Sequence, residues 1–133
     1  MDAQELGQIP LFSELSEEDL EALATYADEV TVSEGKHLVD EGGYAYDLFA
    51  IVEGTAQVIM GGEVVAELGP GDFFGEAGVL EKQQRNATVV AKTRMRLVTL
   101  TGWDLRRMRR QLGPVMDKLE QAIEQRRQPV SGN

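Results

Sequence analysis

Glycines interrupt the middle of this chain so regularly that it can form only short strands joined by tight turns. Between Glu29 and Leu100, short apolar runs alternate with single or paired glycines, which is typical of strands and turns. The run Met60-Gly61-Gly62-Glu63 has the composition of a hairpin turn. The pattern predicts strands at residues 29–33, 37–40, 47–53, 55–60, 63–68, 86–91 and 95–100. Many short strands at this spacing indicate a β-sandwich or a jelly-roll barrel.

A helical segment precedes the β region. Ser16 is followed by an acidic run, as expected for an N-cap residue and the first turn of a helix. Apolar residues then recur at helical spacing up to Ala27. Residues 9–15 are apolar enough to form a short preliminary helix on the same core. We therefore expect an N-terminal helical segment over residues 1–28.

Two helices are predicted after Leu100, within residues 102–128. The pattern places the apolar residues of the first near one face: Trp103, Leu105, Met108 and Leu112. Trp103 is accordingly expected to pack into the core, as is Phe73 in the β region, rather than to stack on a base. Gly113-Pro114 interrupts the pattern, and a second helix can begin there because proline is tolerated in a first turn.

Composition excludes several classes of chemistry. The chain has no Cys, so it forms no disulfide and has no thiol nucleophile. His37 is its only histidine, which excludes a histidine-rich metal site and leaves no basis for a catalytic triad. A cupin-like enzyme is disfavoured for the same reason. We expect a protein that is not an enzyme and holds no metal.

Charge is distributed unevenly along the chain, whose formal net charge is −10. Residues 1–81 contain 19 acids and one base, Lys36, whereas residues 82–133 contain 12 bases and 4 acids. Only Arg106, Arg107, Arg109 and Arg110 resemble a footprint for nucleic acid, and we interpret them as a solvated helix face that complements the acidic half. No nucleic-acid partner is expected.

No apolar run approaches the roughly 20 residues of a membrane span, and residues 1–7 lack the features of a signal peptide. We therefore expect a cytoplasmic protein with no membrane partner.

The segment from Phe74 to Arg85 breaks the strand pattern and carries the candidate chemistry. A short helix starting near Glu76 would present unpaired backbone N–H groups, which favour an anion. Gly75 permits close approach of the backbone, and Arg85 offers a planar fork for phosphate oxygens. A carboxylate beside a phosphate is repulsive unless the ligand also has hydroxyl groups for Glu76 to bind. A nucleotide satisfies both requirements.

The stretches 74–80 (FGEAGVL) and 85–89 (RNATV) resemble the phosphate-binding cassette of cyclic nucleotide-binding domains. Such domains occur in catabolite activator protein, in regulatory subunits of cyclic-AMP-dependent kinase and in cyclic-nucleotide-gated channels. The resemblance extends to residues 10–20, 49–54 and 71–76, and so covers almost the whole chain. It implies a mainly β fold with flanking helices: a double-stranded β-helix (jelly-roll) barrel over 29–100, with cassette 74–89, in one domain over 1–133.

The resemblance also implies roles for individual residues. Glu76 would bind the ribose 2′-hydroxyl, Arg85 would pair with the cyclic phosphate, and backbone amides near Gly75, Glu76 and Ala77 would hold the ribose and phosphate. Two apolar residues would fall where the family places pocket walls: Val58 and Val65.

Asn86 departs from the family pattern, in which Ala, Ser or Thr usually follows the arginine. Because Asn both donates and accepts hydrogen bonds, it could contact either the phosphate or the purine. The base preference therefore stays open, and the frequency of ligands in the family favours cyclic AMP over cyclic GMP.

We accordingly expect a stand-alone or excised regulatory sensor that signals by rearranging its C-terminal helices. The expected partners are the cyclic nucleotide and either a protein effector or a second copy. Relatives often pair through a long final helix, but residues 115–128 make only about four turns, so weak pairing and capping of the ligand both remain open. The alternative is a degenerate domain of the same fold that mediates protein–protein contacts without nucleotide.

Overall fold

The computed structural model of the protein describes residues 1–43, 47–75 and 87–126. The helical elements are α1 (Ala3–Leu6), a 3-10 turn (Pro10–Phe12), α2 (Glu17–Ala24), α3 (Gly102–Gln111) and α4 (Gly113–Arg126). Asp2, Ser16 and Thr101 cap α1, α2 and α3, because each side chain accepts a hydrogen bond from the backbone N–H three residues later. None of these helices combines the length and the apolar character that a bilayer crossing requires.

The strands are β1 (Asp28–Val32), β2 (His37–Val39), β3 (Leu48–Glu53), β4 (Ala56–Met60), β5 (Glu63–Leu68), β6 (Phe73–Phe74), β7 (Thr88–Ala91) and β8 (Met95–Leu100). Every predicted strand is present, and the ends differ by no more than one residue, except that the predicted start at residue 86 lies outside the described residues. The sequence pattern does not predict β6, because two residues are too few to show alternation.

The strands form two antiparallel sheets. The first sheet has the order β1-β8-β3-β6, and the second has the order β2-β7-β4-β5. This arrangement, with helices on either side of it in the chain, confirms the predicted mainly β fold of the jelly-roll type. Consecutive strands mostly belong to different sheets, so the connections after β1, β2, β3, β5, β6 and β7 run from one sheet to the other.

Two buried clusters hold these layers together, and the first sheet contributes to both. The inter-sheet core draws on both sheets and contains Val39, Ile51, Ala56, Val58, Leu68, Phe74, Val89, Ala91, Met95 and Leu97. The helix-facing core joins Leu48, Ala50, Phe73, Val98 and Leu100 to apolar residues of all four helices. Adjacent residues of a strand project to opposite faces, which is why Ala50 and Ile51 enter different cores.

Two of the crossing segments touch each other. The backbone N–H groups of Lys92 and Thr93 donate to the carbonyl oxygen of Thr55 at 2.9 and 3.3 Å. In return, the N–H of Thr55 donates to the hydroxyl of Thr93 at 3.1 Å. The β3–β4 and β7–β8 connections are therefore held in direct backbone contact.

The interpretation of Trp103 as a core residue is wrong, since its side chain is 63% exposed. The helix buries Leu105 and Met108 instead. At about 100° per residue, Trp103 lies roughly 140° to 160° from these two residues, on the opposite side of α3. Phe73, in contrast, is buried as predicted.

The expected match between the α3 arginines and the acidic N-terminal half does not hold for Arg109. Its guanidinium donates to Asp117 at 2.7 Å and also contacts Glu120, both in α4. The link from the C-terminal helices to α2 is made by Lys118, whose ammonium donates to Asp19 at 2.7 Å.

Candidate ligand-binding site

The predicted site spans a part of the chain that the structure describes only at its borders. Four of the predicted residues lie outside the described residues: Glu76, Ala77, Arg85 and Asn86. Gly75, Val58 and Val65 lie within them. The geometry of the site is therefore given by the two strands that lead into and out of segment 76–86, and by the sheet beside them.

Strand β6, which leads into the segment, is anchored in both cores. Phe74 lies in the inter-sheet core, where its ring stacks on that of Phe49 with centroids 4.9 Å apart. Its neighbour Phe73 lies in the helix-facing core. Gly75 follows with a φ of +90°, which a residue with a Cβ adopts only with strain. The chain thus turns sharply directly after two large, immobilised rings.

A tight turn before β6 fixes the same strand from its other end. The Asp72 carboxylate accepts a hydrogen bond from the Gly69 N–H at 2.8 Å and closes the turn. The Asp72 carbonyl accepts from the N–H of Ile51, and the Ile51 carbonyl accepts from the N–H of Gly71. These bonds hold the turn against β3, so the position of Gly75 is set by the first sheet.

Strand β7, which leads out of the segment, begins where two other loops meet it. The N–H of Glu41 donates to the Thr88 hydroxyl at 2.9 Å. The Glu41 carboxylate accepts from the N–H of Gly61, in the β4–β5 hairpin, at 3.3 Å. The turn after β2, the hairpin tip and the start of β7 are therefore tied together. Thr88 belongs to the quoted motif, but nothing in the sequence singled out Glu41 as its partner.

Val58 lies in β4, which is the neighbour of β7 in the second sheet. It stands between Val89 of β7 and Ala66 of β5 in the second sheet, and only 1% of its surface is exposed. The side chain is part of the inter-sheet core. Its described contacts are therefore those of a core residue, and its role as a pocket wall stays a prediction.

Val65 lies at an irregularity in β5. The register runs from Val58 opposite Ala66 to Ile59 opposite Val64, so Val65 is the extra residue of a β-bulge. It is 43% exposed, and its neighbour Val64 is also exposed. A large apolar side chain left open in this way is available for a ligand, and the wall role of Val65 stays a prediction.

The described residues whose pKa is displaced do not indicate acid–base catalysis at the candidate site. The groups with a displaced pKa lie on the helices and on β8. A hydrogen bond from Lys118 lowers the pKa of Asp19, Glu29 raises the pKa of Arg96, and Asp117 together with Glu120 raises the pKa of Arg109. In the three described ranges, no group of three or more His, Asp or Glu side chains is placed to hold a metal ion.

The strands and turns at the two borders of residues 76–86 suit the binding of a ligand. The segment 76–86 runs from the edge strand of the first sheet to an inner strand of the second sheet. Apolar side chains of the inter-sheet core lie under its two ends, at Phe74 and Val89. An apolar layer beside two anchored strand ends is a setting typical of ligand sites.

The sequence of the chain is similar to those of known proteins. The sequence model of a family described as cyclic nucleotide-binding domain matches residues 29–111. The chain is 40% identical over 119 residues to a cAMP-dependent protein kinase regulatory subunit of Yarrowia lipolytica. That match covers 87% of this chain and 31% of the regulatory subunit. The chain thus spans about a third of the length of that relative.

Solved structures show the same architecture. A cyclic nucleotide-binding domain from Methylobacillus flagellatus superposes with a TM-score of 0.79 at 23% identity, over 92% of this chain and 72% of that one. The regulatory subunit of a cAMP-independent protein kinase A from Trypanosoma brucei superposes with a TM-score of 0.76 at 30% identity. The second match covers 96% of this chain and 47% of that one.

Proposed function

This chain belongs to the family of cyclic nucleotide-binding domains, and on that premise we propose that it is a regulatory sensor of cyclic AMP. One observation carries the proposal. The matched region retains Gly75-Glu76 and, after Arg85, the sequence Asn-Ala-Thr, which together supply an acid for a sugar and a cation for a phosphate. The relative from Yarrowia lipolytica, described as cAMP-dependent, supports cyclic AMP as the ligand in preference to cyclic GMP.

In the proposed site, Arg85 pairs with the cyclic phosphate and Glu76 accepts from the ribose 2′-hydroxyl. Backbone amides near Gly75 and Ala77 hold the ribose and phosphate, and Asn86 contacts the phosphate or the base. The exposed Val65 and the buried Val58 form the apolar wall. The positive φ of Gly75 supports this arrangement, because it brings the backbone around without a Cβ between the chain and the ligand.

Arg85 is the essential residue of this proposal because the protein is strongly acidic. A net charge of −10 repels an anionic ligand at long range. The attraction must therefore come from a local cation with directed hydrogen bonds, and a guanidinium provides both.

The sensing step is a shift between two conformations of the C-terminal helices. Phe73, two residues before Gly75, shares the helix-facing core with Leu105 of α3 and with Met116 and Leu119 of α4. A ligand that moves the cassette therefore disturbs the packing of the same core. The shift cannot exceed the difference between the ligand's affinities for the two states.

We extend the proposal to the organisation of the protein. Residues 1–133 act as one domain that catalyses no reaction, works in the cytoplasm, and passes its signal to a protein effector or a second copy. A cupin-like enzyme is the rival from another class, and metal analysis of the purified protein distinguishes it, since such an enzyme would carry a bound metal ion.

A second candidate within the family has its own support. The solved relative from Trypanosoma brucei is described as belonging to a cAMP-independent kinase, although it shares the fold at 30% identity. By analogy, this domain would keep the fold and mediate protein contacts without cyclic nucleotide. The two candidates differ in whether a cyclic phosphate stabilises the folded state.

A thermal-shift titration tests the proposal. Cyclic AMP at 100 times its dissociation constant should stabilise the native state by about 2.7 kcal/mol and raise the melting temperature by on the order of 10 °C. Cyclic GMP should act more weakly, and linear AMP should have little effect. If no cyclic nucleotide raises the melting temperature, the sensor function is wrong and the second candidate stands.

The role of Arg85 is tested with matched variants. Arg85→Ala should weaken the affinity for cyclic AMP by about 100-fold, because it removes a charge-assisted, two-pronged contact. Arg85→Lys should restore only part of it, and Arg94→Ala, in the exposed β7–β8 turn, should leave it unchanged. Equal affinities for wild type and Arg85→Ala in calorimetry would remove Arg85 from the site.

A further inference from the structure

The face of α3 that points away from the core carries one aromatic ring and three cations. Its residues are Trp103, Arg106, Arg107 and Arg110, spaced at i, i+3, i+4 and i+7, and all four are exposed. At about 100° per residue they fall within an arc of about 100°, opposite the buried Leu105 and Met108. We call these four residues the α3 basic face.

The cations of this face differ from most others in the described part of the chain. Four other basic side chains there are paired with carboxylates: Lys92, Arg96, Arg109 and Lys118. Among the described residues, no carboxylate lies within 4.0 Å of the guanidinium groups of Arg106, Arg107 or Arg110. A protein with a net charge of −10 thus leaves three adjacent positive charges without carboxylate partners in the region that the structure describes.

Aromatic rings orient two of these cations. The guanidinium carbon of Arg106 lies 5.5 Å from the centroid of the Trp103 ring, and that of Arg107 lies 5.3 Å from the Tyr26 ring. Such stacking uses the flat face of the guanidinium and leaves its N–H edge for oxygen acceptors. Tyr26 is itself held by a hydrogen bond between its hydroxyl and the Gln111 side chain. The face is therefore partly preorganised for planar, anionic groups.

From this arrangement we propose that the α3 basic face is a docking site for an acidic peptide segment of a partner protein. From Trp103 to Arg110 the face extends over two helical turns, about 10 Å along the axis. A segment that presents two or three carboxylates over that length, together with an apolar side chain to cover Trp103, complements the face in charge and in shape. Tryptophan and arginine are also the residues in which the binding energy of protein interfaces is most often concentrated.

The size and surroundings of the face favour this partner over two others. A nucleic acid duplex carries one charge per about 1.7 Å and would extend well beyond two helical turns, onto a protein with 23 acids and 13 bases. A second copy would bring another net charge of −10. The acids near the face are already engaged, since Asp104 accepts a hydrogen bond from Thr101, and Asp117 and Glu120 of α4 bind Arg109. This site goes beyond the proposed sensor function and does not depend on it.

The protein contains its own probe for the test, because Trp103 is its only tryptophan. The full chain is titrated with the synthetic peptide acetyl-EELEELE-amide while tryptophan emission is recorded. The uncharged peptide acetyl-QQLQQLQ-amide serves as the ligand control. The expected result is a saturable change in emission with the acidic peptide alone, which weakens as salt is added.

Variants separate this face from general charge effects. The double variant Arg106→Glu/Arg110→Glu should weaken the peptide's affinity at least tenfold, or by about 1.4 kcal/mol. The milder pair Arg106→Gln/Arg110→Gln should give an intermediate loss if reversal impairs folding. Arg94→Glu, which reverses one positive charge in the β7–β8 turn, is the control for charge reversal outside the face and should bind within about twofold of wild type.

Three results would overturn the proposal. The first is equal peptide affinity in the α3 double variant and in Arg94→Glu. The second is tighter binding of a single-stranded oligothymidylate than of the acidic peptide at the same salt, which would assign the face to nucleic acid. The third is a tryptophan emission that depends on protein concentration together with a dimer in sedimentation, which would assign it to a second copy.

Discussion

Gly54 lies where two connections between the sheets touch, and a single added methyl group there should strongly destabilise the fold. A Cβ built on Gly54 would stand 2.4 Å from the carbonyl oxygen of Arg94, and 2.9 Å from side-chain atoms of Thr93 and Met95. The obstructing oxygen belongs to the backbone and cannot rotate away. Gly54 also has a φ of +91°, which disfavours a residue with a Cβ in its own right.

The structure offers a control that separates these two effects. Gly35 has nearly the same φ, +88°, but nothing lies within 4 Å of the point that a methyl group would occupy there. Gly35→Ala should therefore destabilise the fold by the conformational penalty alone, about 1–2 kcal/mol. At Gly54 the neighbouring backbone must also retreat by about 1 Å to reach an ordinary carbon–oxygen contact. Such shifts cost about 1–3 kcal/mol, so Gly54→Ala should destabilise by about 2–5 kcal/mol.

Urea denaturation followed by circular dichroism measures both variants. The comparison is sharp because both share the change in the entropy of the unfolded chain, which cancels in their difference. Gly54→Ala should unfold with a free energy at least about 1 kcal/mol lower than Gly35→Ala. Equal free energies of unfolding for the two variants, or a larger loss for Gly35→Ala, would refute the argument that the backbone beside Gly54 cannot move aside without cost.

Two further predictions concern single side chains. Among the described residues, the Thr99 hydroxyl oxygen is buried with no hydrogen-bond partner. Thr99→Val should therefore raise the free energy of unfolding by about 1 kcal/mol. An unchanged or lower free energy of unfolding in urea would contradict this. Lys118 keeps the pKa of Asp19 below its ordinary 3.8; this stabilisation is full above the unfolded-state pKa and is lost as pH falls through the folded-state value. Wild type should therefore lose more stability than Lys118→Met between about pH 5 and pH 3, and parallel losses would exclude the link.

The order of the elements could be predicted because it depends on local chemistry. The glycine-rich turn at Gly61-Gly62 and the cap at Ser16 act within a few residues, so their patterns correctly predicted the hairpin and the helix. The prediction was wrong for Trp103, where an apolar side chain was taken to mark the buried face. Its angular position on the helix, opposite Leu105 and Met108, is the better guide.

The predicted binding residues come from a family motif and not from the periodicity of a helix or strand. Glu76 and Arg85 were identified by residue type and spacing within a family motif, and their roles remain predictions that the nucleotide titration tests. The described neighbours of the site required the structure: Glu41, which bridges Thr88 and Gly61, is separated by 47 and 20 residues from these partners. Contacts over such distances leave no local pattern.

By itself, the sequence determined where most strands, turns and helices lie and which family motif they carry, since backbone preference and side-chain periodicity act over a few neighbouring residues. Only the tertiary structure decided that Gly54 must lack a side chain, because the obstacle is a carbonyl 40 residues further along the chain. It alone also decided that α3 turns Trp103 outward, because which face a helix buries depends on the surfaces packed against it. Those surfaces come from distant parts of the chain, and they exist only once it has folded.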